Sequence, residues 1–501
     1  MSDAIFEQKK TKFLEQRAQN NFADQYNKTH TVMQVAALAE GVTGVRCAGR
    51  VVGMRTMGKI LFAHIYDFTG KTQFCVRKSE DNPGTFDDFV AQVSVGDFVG
   101  IDGEMFITKT GELTLRVGSF KLLNKCLRTL PEKYHGVEDI ETRYRQRYLD
   151  IIMTAESRAV FQRRFEIVRS MRRFLEDDGY MEVETPVLQT QPSGALARPF
   201  NTHHNALDIE CTLRIAPETY LKRCIGAGMD KVYEFARCFR NEGISHTHLQ
   251  DFTMLEFYAS YWNSQLMREF VAKMMRNLIE NVFGQVKISM HGQEIDFGGE
   301  WPVYDYCDLI LRDSGIDIRI VSTKELLVKA LKEKNIHLDD LANMNWANSV
   351  DSLYKKVSRP KLIQPCFLEK YPAEMAPLAR RNAEDGRFVD LFQFLVAGVE
   401  IVKSYSELVD PLDQRERFEE QMTSREAGDA EAMPMDEDFL TAMEHGFPPI
   451  AGVGIGIDRL TMVLCGCDNI KDTVLFPLMR PHVAQEEAVA PAAVASTAIA
   501  P

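Results

Sequence analysis

Several patterns that would assign a sequence to a common class are missing from these 501 residues. No apolar run reaches the length that a transmembrane helix needs, so a membrane protein is not predicted. Residues 1–19 are charged and contain no apolar core, so we do not expect a secretory signal peptide. A formal net charge of -13 argues against wrapping of nucleic acid by overall positive charge, although a local basic face could still bind RNA. The sequence therefore favours a cytoplasmic protein with no membrane or DNA partner.

The ten cysteines lack the pairing that a structural zinc site requires. Only Cys465 and Cys467 lie close together, and no C-x-x-C arrangement occurs. Cysteines placed singly among apolar neighbours usually behave as small buried hydrophobic residues in a reducing compartment. We therefore expect no structural zinc site, and the cysteines again favour the cytoplasm.

The chain is longer than one hydrophobic core usually serves, and changes in composition and residue pattern along it predict five segments. Residues 1–40 are polar and predict one or two surface helices, while residues 41–125 alternate as short strands broken by glycines. Residues 126–155 are rich in Arg, Tyr and Pro and predict a linker, and residues 156–483 predict a large mixed domain. The segment 484–501 is mostly Ala, Pro and Val, so we expect a disordered tail.

The segment 41–125 has the pattern of a small β-barrel. Turn signals separate its apolar runs, and a helical interruption lies near residues 85–93. Five short strands with one helix fit a Greek-key barrel of the OB type, but an SH3-like barrel would show a similar pattern. The predicted strands are Val45–Val52, Ile60–Tyr66, Thr72–Val76, Phe98–Phe106 and Leu113–Val117.

The large domain begins with a long predicted helix. Between residues 156 and 178 apolar side chains recur at helical spacing, and Gly179 then suits the end of the helix. Beyond it, strands and helices mix without the regular alternation of a doubly wound sheet. We therefore predict an α+β domain whose central antiparallel sheet is flanked by helices.

Two of three notable clusters in this domain are ordinary when taken alone. Residues 178–186, Asp-Gly-Tyr-Met-Glu-Val-Glu-Thr-Pro, combine a glycine stop with a short strand that ends at proline. Residues 452–459 place glycine at every second position before Asp458 and Arg459, so another group can approach the strand closely. This glycine run has neither a dinucleotide fingerprint nor the Gly-Lys-Ser/Thr of a P-loop.

The remaining cluster joins an arginine to a glutamate in a Phe-Arg-Asn-Glu-Gly run at residues 239–243. Strand-like residues lie on both sides, so we expect a hairpin that holds Arg240 and Glu242 on one face of a strand. An arginine fork suits a phosphate, and a glutamate accepts a hydrogen bond from an exocyclic amine. His248 and Phe252 offer flat faces to a purine base. The alternative is an ordinary surface ion pair between Arg240 and Glu242.

The order of the three clusters is more informative than any one of them. Helix, Gly-Tyr and strand-Pro, then Phe-Arg-x-Glu, then Gly-x-Gly-x-Gly with Asp-Arg, resembles motifs 1, 2 and 3 of class II aminoacyl-tRNA synthetases. From about residue 44 to residue 481 the chain is similar to the class II lysine–tRNA ligases in particular. Further blocks support this resemblance at residues 197–207, 213–223, 371–374 and 377–382.

The resemblance implies an enzyme that uses ATP and Mg²⁺ to convert L-lysine to lysyl-adenylate and then charges the 3′ end of tRNA(Lys). Neither step needs a covalent enzyme nucleophile, so catalysis would come from positioning and from stabilising charge on the phosphate. The barrel would bind the anticodon, and motif 1 would build the interface of a homodimer.

The resemblance also implies roles for individual residues. Arg240, Arg459 and Glu400 are the expected catalytic residues, with Arg240 on the α-phosphate and Arg459 on the γ-phosphate of a bent ATP. The expected ATP site contains Arg240, Glu242, His248, Phe252, Glu400 and Arg459. The expected lysine site contains Glu218 at the α-amino group, Glu256 and Glu407 at the side-chain ammonium, and Tyr258, Lys403 and Tyr405. The expected anticodon site contains Arg55, Phe62, Gln73 and Glu112, although without the resemblance Phe62 would be interpreted as a core aromatic.

Two positions depart from the family pattern, one of them among the expected metal ligands Gln393 and Glu400. Lys403 stands where the family usually has asparagine, so a cation lies near a pocket meant for a cation. We expect its ammonium to point at the substrate carboxylate or a phosphate instead. Gln393 stands where the family commonly has a metal-binding glutamate. Because a glutamine oxygen brings no negative charge, we expect a higher Mg²⁺ requirement, which Gln393→Glu would lower.

Three other interpretations stay open. An aspartate–tRNA or asparagine–tRNA ligase would need basic groups where Glu256 and Glu407 stand. A truncated relative that lysylates a protein would lack the barrel. A non-catalytic or altered-specificity paralogue is opposed by the retained arginines and Glu400, and only the two departures favour it.

Overall fold

The computed structural model describes residues 2–19, 22–78, 83–131, 137–426 and 431–481. The tail predicted at residues 484–501 lies outside this part of the chain. Contacts within the chain define two units, residues 1–159 and residues 160–501. Within the described residues, none of the helices combines the length and the apolar content that crossing a lipid bilayer requires.

The first unit consists of a barrel with helices before it, after it and between two of its strands. Its helices are α1 (Ser2–Ala18), α2 (Val32–Ala36), α3 (Pro83–Gln92), α4 (Ile140–Arg145) and α5 (Arg147–Met153). Its strands are β1 (Val45–Met57), β2 (Ile60–Asp67), β3 (Gly70–Arg77), β4 (Phe98–Ile107) and β5 (Leu113–Asn124).

The barrel is closed and has the OB topology. Neighbouring strands pair in the order β1-β2-β3-β5-β4, and β4 pairs with β1 to complete the closure. The pair β3 and β5 is parallel, and α3 connects β3 to β4. This strand order distinguishes the OB barrel from the SH3-like alternative that the sequence pattern left open.

Alternating side chains fill the barrel, and the helices α2 and α3 contribute to this core. On β2, Leu61 and Ala63 are 0% and 1% exposed and point inward. Val32 and Val35 on α2 are also fully buried in the same hydrophobic cluster. The prediction that residues 1–40 form only surface helices is therefore wrong for α2, because two apolar residues three apart face the barrel.

The second unit is built on one large sheet with two small ones. An eight-stranded sheet has the order β14-β15-β16-β17-β18-β11-β10-β6, beside small sheets of β7, β9 and β8 and of β12 and β13. The strands are β6 (Met181–Glu182), β7 (Leu188–Gln189), β8 (Asn201–His204), β9 (Ile209–Leu213), β10 (Lys231–Phe239), β11 (Asp251–Ser260), β12 (Lys287–Met290), β13 (Gln293–Asp296), β14 (Val303–Asp305), β15 (Cys366–Pro372), β16 (Phe388–Val396), β17 (Val399–Ser406) and β18 (Ile450–Gly456).

The large sheet is mixed, whereas the sequence predicted an antiparallel one. The pairs from β15 to β10 are antiparallel as expected, but β14 pairs with β15 and β6 pairs with β10 in parallel. A parallel pair needs a long crossover connection. Residues 183–230 and 306–365 provide such connections, and periodicity within single elements does not reveal them.

Helices pack on both faces of the sheet. The helices are α6 (Ala155–Asp177), α7 (Glu218–Gly226), α8 (Ser264–Phe283), α9 (Tyr306–Ser314), α10 (Lys324–Glu333), α11 (Trp346–Val357), α12 (Pro411–Glu426), α13 (Glu437–Glu444) and α14 (Ile457–Cys465). Helix α8 packs against β16, β17 and β18, and α14 packs against β11, β17 and β18. The long predicted helix is α6, and Gly179 follows it at a φ of 83°.

Candidate active site

A cavity of about 300 Å³ lies on the face of the large sheet away from α8 and α14. Strand alternation separates this face from the hydrophobic core. On β11, Leu255 and Phe257 pack into the core, whereas Met254, Glu256 and Tyr258 line the cavity. Strands β11, β18 and β17 are neighbours in the sheet, and residues from all three line this cavity.

The structure brings twelve of the predicted residues together around this cavity. Gln393 is absent from the lining, and the four residues predicted to bind an anticodon belong to the first unit. We call the part around Glu218, Glu256 and Glu407 the acidic end and the part around Arg240, Lys403 and Arg459 the basic end. The twelve lining residues are Glu218, Arg240, Glu242, His248, Phe252, Glu256, Tyr258, Glu400, Lys403, Tyr405, Glu407 and Arg459.

Glycines on β18 give this cavity its floor. Gly452 lies between Tyr258 on β11 and Tyr405 on β17 in the sheet register. A Cβ atom on residue 452 would overlap a carboxylate oxygen of Glu407 and the ring of Tyr258. Gly454 is roomier, because a Cβ there would meet its nearest atom at 3.5 Å. Gly452 is therefore the position in this run where glycine is needed for the close approach of Tyr258 and Glu407.

Internal contacts hold the carboxylate of Glu218 in the acidic end. The Tyr405 hydroxyl donates to Glu218 Oε1 at 2.6 Å, and Lys222 Nζ donates to the same oxygen at 2.7 Å. Lys222 also forms a short ion pair with Glu407 Oε2, and its side chain is 0% exposed. Lys222 was not predicted from the sequence, although it lies four residues after Glu218 on a helix, a spacing that brings two side chains together.

Glu407 keeps one oxygen for a further partner. Its side chain is buried, and Oε1 has no hydrogen-bond partner among the described residues. This oxygen faces the space that Gly452 leaves open. A buried carboxylate oxygen without a donor is unfavourable, so the site is suited to a ligand that supplies one.

Burial also changes the protonation of the acidic end. Desolvation, followed by the negative charge of Glu218, raises the pKa of Glu256 to about 8, while a hydrogen bond from Tyr258 at 2.9 Å opposes the rise. Desolvation likewise raises the pKa of Glu407 above its usual range, and Lys222 opposes it. Without a cationic ligand, these carboxyl groups therefore hold protons more tightly than exposed ones do.

The basic end begins just after β10. This strand ends at Phe239, so Arg240 and Glu242 lie in the following loop, and the prediction that they share a strand face is wrong. The loop is fixed by a hydrogen bond from the Arg240 amide to the Gln250 carbonyl at 2.8 Å. The Arg240 guanidinium lies 5.1 Å from the centre of the Phe252 ring. Neither Arg240 nor Glu242 forms an ion pair with a described residue, so both side chains stay available to a ligand.

A histidine and an arginine complete the basic end. Arg459 Nη2 lies 2.8 Å from His248 Nε2, and Arg459 Nε donates to the Thr247 carbonyl at 3.2 Å. Because a guanidinium only donates, Nε2 is the acceptor and the ring proton lies on Nδ1, 2.7 Å from Ser245 Oγ. Desolvation, followed by the positive charges of Arg459 and Lys355, lowers the pKa of His248 to about 4. The ring is therefore neutral at pH 7.

The two departures from the family pattern are cross-strand neighbours. Lys403 on β17 pairs with Gln393 on β16 in the sheet register. Gln393 Nε2 donates to Glu400 Oε2 at 2.9 Å, and Gln393 Oε1 accepts from the Tyr371 hydroxyl at 2.6 Å. Lys403 lines the cavity without a hydrogen bond or ion pair to any described residue. Gln393 thus supports Glu400 from behind, while the ammonium of Lys403 remains available.

Glu400 is the carboxylate that could bind a divalent cation beside the basic end. In the part of the chain that the structure describes, no three His, Cys, Asp or Glu side chains are grouped as metal ligands. Mg²⁺ is usually held by one or two carboxylates together with substrate phosphates and water. The donor set therefore fits a metal ion that is bound mainly through a nucleotide.

In the barrel, Phe62 lies on the outer face and is not a core aromatic. It stands between the inward-facing Leu61 and Ala63 on β2 and is half-buried. Arg55 on β1 is exposed and lies directly opposite Phe62 in the register. The ring and the guanidinium therefore share one outer face of the first unit.

The other two predicted barrel residues lie along the same side. Gln73 on β3 is the register partner of His64, which is two residues from Phe62. Gln73 Nε2 donates to Thr114 Oγ1 at 2.7 Å, and Thr114 donates to the backbone carbonyl of Glu112 at 3.2 Å. These contacts connect Gln73 to the loop that carries Glu112.

Comparison with known proteins covers both units. A family described as tRNA synthetases class II (D, K and N) matches residues 139–480, and one described as an OB-fold nucleic acid binding domain matches residues 45–123. A lysine–tRNA ligase of Pelotomaculum thermopropionicum is 43% identical over 92% of this chain and 91% of its own length. Proteins with the same name from Aquifex aeolicus (44% identical, 89% of this chain, 74% of the relative) and Coxiella burnetii (45%, 89% and 89%) are also similar.

Proposed function

The chain belongs to the class II tRNA synthetases and, within them, to the lysine–tRNA ligases, and we propose that it activates L-lysine with ATP and charges tRNA(Lys). The observation that carries the choice of amino acid is the acidic end, where Glu218, Glu256 and Glu407 are 5%, 4% and 2% exposed. Buried carboxylates are unfavourable without a cation, so the site selects an ammonium over neutral or acidic side chains.

Lysine fits this end through both of its ammonium groups. Glu218 would bind the α-amino group, and Glu256 and Glu407 would bind the ammonium at the end of the side chain. The hydroxyls of Tyr258 and Tyr405 already fix two of these carboxylates, at 2.9 and 2.6 Å, so little reorganisation is needed on binding.

Activation would take place where the acidic and basic ends meet. An oxygen of the lysine carboxylate attacks the α-phosphorus of ATP, the new P–O bond forms, and the bond to the bridging oxygen breaks to release diphosphate. Arg240 would hold the α-phosphate and Arg459 the γ-phosphate. Glu242 would accept a hydrogen bond from the adenine amine, with Phe252 and neutral His248 packed around the nucleotide.

Transfer completes the reaction on the same surface. A ribose hydroxyl at the 3′ end of tRNA attacks the carbonyl carbon of lysyl-adenylate, and AMP leaves with the electrons of the cleaved C–O bond. Glu400 would hold Mg²⁺, which supplies positive charge to the phosphates when bound. Arg240 and Arg459, which line the same cavity, would supply further positive charge.

Lys403 would contribute a further positive charge in this site. Its side chain lines the same cavity as Glu400 without an ion-pair partner among the described residues, and the residue lies across the strand pair from Gln393. We place it on the substrate carboxylate or the α-phosphate rather than in the acidic end. A crystal structure with lysyl-adenylate in which Lys403 points at the lysine side chain would contradict this placement.

The outer face of the barrel would bind the anticodon. Phe62 offers a half-buried ring for stacking, and Arg55, Gln73 and Glu112 offer hydrogen-bonding groups along the same side. Replacement Phe62→Ala should lower kcat/KM for tRNA in aminoacylation by about tenfold, because stacking of a base contributes about 1–3 kcal/mol. The ATP–diphosphate exchange rate should not change, and a parallel loss there would contradict an anticodon role.

A homodimer in the cytoplasm is the expected state of this enzyme. Large apolar side chains support an interface on the second unit, since Met181 is 47% exposed, Phe476 70% and Leu478 68%. Light scattering on the purified protein should give twice the chain mass of 57.0 kDa. A monomer at micromolar concentration would contradict the dimer without affecting the activation chemistry.

ATP–diphosphate exchange with each of the twenty amino acids tests the proposed function. Exchange that depends on lysine alone would support it and would show that Lys403 and Gln393 are compatible with activity. Exchange with aspartate or asparagine would contradict the assignment, because their side chains do not complement three buried carboxylates. The absence of exchange at any Mg²⁺ concentration would favour a non-catalytic paralogue.

A further inference from the structure

Lys222 lies behind the acidic end and does not line the cavity. Its side chain is 0% exposed, and its Nζ contacts Glu218 Oε1 at 2.7 Å and Glu407 Oε2 at shorter range. Both carboxylates line the cavity, so they separate the internal ammonium from any ligand. Lysine is almost never fully buried unless it is paired, so this position indicates a specific electrostatic task.

Aromatic rings fix where that ammonium can be. The centre of the Tyr405 ring lies 5.6 Å from Lys222 Nζ, and the centre of the Phe439 ring lies 5.8 Å from it. These rings favour a cation and offer no other acceptor of comparable strength. The ammonium is thus held between Glu218 on α7 and Glu407 after β17.

The charges in the acidic end match lysine only when Lys222 is included. Glu218, Glu256 and Glu407 can carry three negative charges, and Lys222 offsets one of them. The two that remain equal the number of ammonium groups on free lysine, one on the α-carbon and one at the end of the side chain. Three unbalanced carboxylates at this burial would instead take up protons.

Building on the lysine-activating function proposed above, we propose that Lys222 is a positioning residue for substrate selection, which aims Glu218 and Glu407 into the cavity and leaves the two negative charges that lysine neutralises. Its ammonium does not touch the substrate and acts through the two carboxylates. The position therefore determines how strongly the pocket prefers lysine, although it lies outside the lining.

The charged groups around these carboxylates determine the direction of the pH dependence that the proposal predicts. Glu407 is surrounded by Lys222 and Glu218 from α7, by Glu256 and Tyr258 from β11, and by Tyr405 from β17, while Arg240 and Glu234 act on Glu256. Lys222 is the cation that lowers the pKa of Glu407 in this set. Its removal should raise the pKa of Glu407 further, so lysine binding should need a higher pH.

The test compares Lys222→Met with the parent enzyme from pH 6.5 to pH 9. At pH 7 the KM for lysine in ATP–diphosphate exchange should rise about 100-fold, while the KM for ATP should change less than about twofold. Lysine binding measured by calorimetry should recover in part as pH rises, because ionisation of the carboxylates restores the charge. The control Lys287→Met removes an exposed lysine paired with Glu294 at 2.7 Å and should change neither KM.

Two further variants separate charge from a merely structural role. Lys222→Arg keeps the positive charge, so its lysine affinity should follow the parent pH profile even if the larger group weakens binding. Lys222→Gln lacks the charge but can still hydrogen-bond, so it should behave like Lys222→Met and provides the same test if the methionine variant does not fold.

Three outcomes would overturn the role of Lys222. They are a loss that is independent of pH, an equal rise in the KM for ATP, and a parent-like KM for lysine in Lys222→Gln. Failure of the parent enzyme to exchange with lysine would instead contradict the proposed function, so the two failures are distinguishable.

Discussion

The two ends of one cavity solve the problem of buried charge differently. In the acidic end, Tyr258, Tyr405 and Lys222 already contact the carboxylates at hydrogen-bonding distance. In the basic end, the Arg240 guanidinium contacts the Phe252 ring and reaches a backbone carbonyl only at 3.4 and 3.5 Å, and the Lys403 side chain has no hydrogen bond or ion pair among the described residues. The acidic end is preorganised by the protein, whereas in the basic end Arg459 is held by Thr247 and His248 but Arg240 and Lys403 are left for the phosphates of a substrate to pair.

Burial accounts for this difference. The three carboxylates of the acidic end are at most 5% exposed, and unpaired buried charges are strongly unfavourable. Arg240, Glu242 and Lys403 are half-buried, so solvent can stabilise them before a ligand arrives. Amino-acid choice is therefore built into the fold, and substitutions in the acidic end should have the larger effects.

Glu407→Gln should have the largest effect of the variants considered. It removes a carboxylate from the substrate and from Lys222 at once, which leaves a buried ammonium with one partner fewer. We expect kcat/KM for lysine in ATP–diphosphate exchange to fall about 10³-fold, since breaking a buried ion pair costs about 3–5 kcal/mol. The control Glu437→Gln breaks an exposed pair with Arg415 and should change it less than about twofold. Similar losses in both variants would remove the contrast between buried and exposed carboxylates.

Arg240→Lys should have the next largest effect, and it should act on ATP rather than on lysine. Lysine retains the charge but loses the planar fork that binds a phosphate through two hydrogen bonds. The exchange kcat should therefore fall about 10²-fold, the range found when one transition-state donor is removed. Calorimetric affinity for lysine without ATP should stay unchanged.

Arg237→Lys provides the matched control for that variant. Arg237 lies three residues earlier on β10, is exposed, and pairs with Asp251 away from the cavity. Its replacement should leave the exchange kcat within about twofold of the parent. A loss of lysine affinity in Arg240→Lys would show that the two ends are coupled more closely than their separate contacts indicate.

The sequence predicted the elements better than the contacts between them. The helix α6 and the strands around Glu256 and Arg459 follow from apolar periodicity and glycine spacing, which depend on neighbours along the chain. The parallel edges of the sheet, the loop position of Arg240 and the burial of α2 depend on distant partners. No local pattern records such partners, so these predictions were absent or wrong.

The cavity shows the same limit. The resemblance predicted lining residues that the structure brings together, because each lies in a recognisable block. Lys222 lies inside one of those blocks, but its role depends on Glu407, which is far away in sequence. The hydrogen bonds that Gln393 makes with Tyr371 and Glu400 could likewise not be predicted, because they depend on the pairing of three separate strands.

Between pH 8 and pH 7 the KM for lysine should change about five- to tenfold, whereas the KM for ATP should not change, so pH distinguishes the acidic end from the basic end. The pKa of Glu256 is raised to about 8, and lysine binding needs its ionised form, so the KM for lysine should rise as pH falls from 8 to 7. The pKa of His248 is lowered to about 4, so this ring stays neutral throughout and should add no pH dependence to the KM for ATP. Parallel changes in the two KM values would show that one shared group controls both ends.

Gln393→Glu should have the smallest effect, and it tests whether the basic end relies on a metal ion. In the present chain the Gln393 amide donates to Glu400 at 2.9 Å, so a carboxylate in its place would face another at close range. Repulsion between the two should be relieved by Mg²⁺, and the concentration for half-maximal exchange should fall about three- to tenfold. A thermal shift on adding Mg²⁺ without ATP, larger in Gln393→Glu than in the parent, provides a readout that does not depend on activity.

Tyr371→Phe is the control, because it removes only the other hydrogen bond of Gln393, at 2.6 Å, and should not lower the Mg²⁺ requirement. If Gln393→Glu leaves both the titration and the thermal shift unchanged, a second carboxylate does not strengthen Mg²⁺ binding. The positive charge of the basic end then comes from Arg240, Lys403 and Arg459.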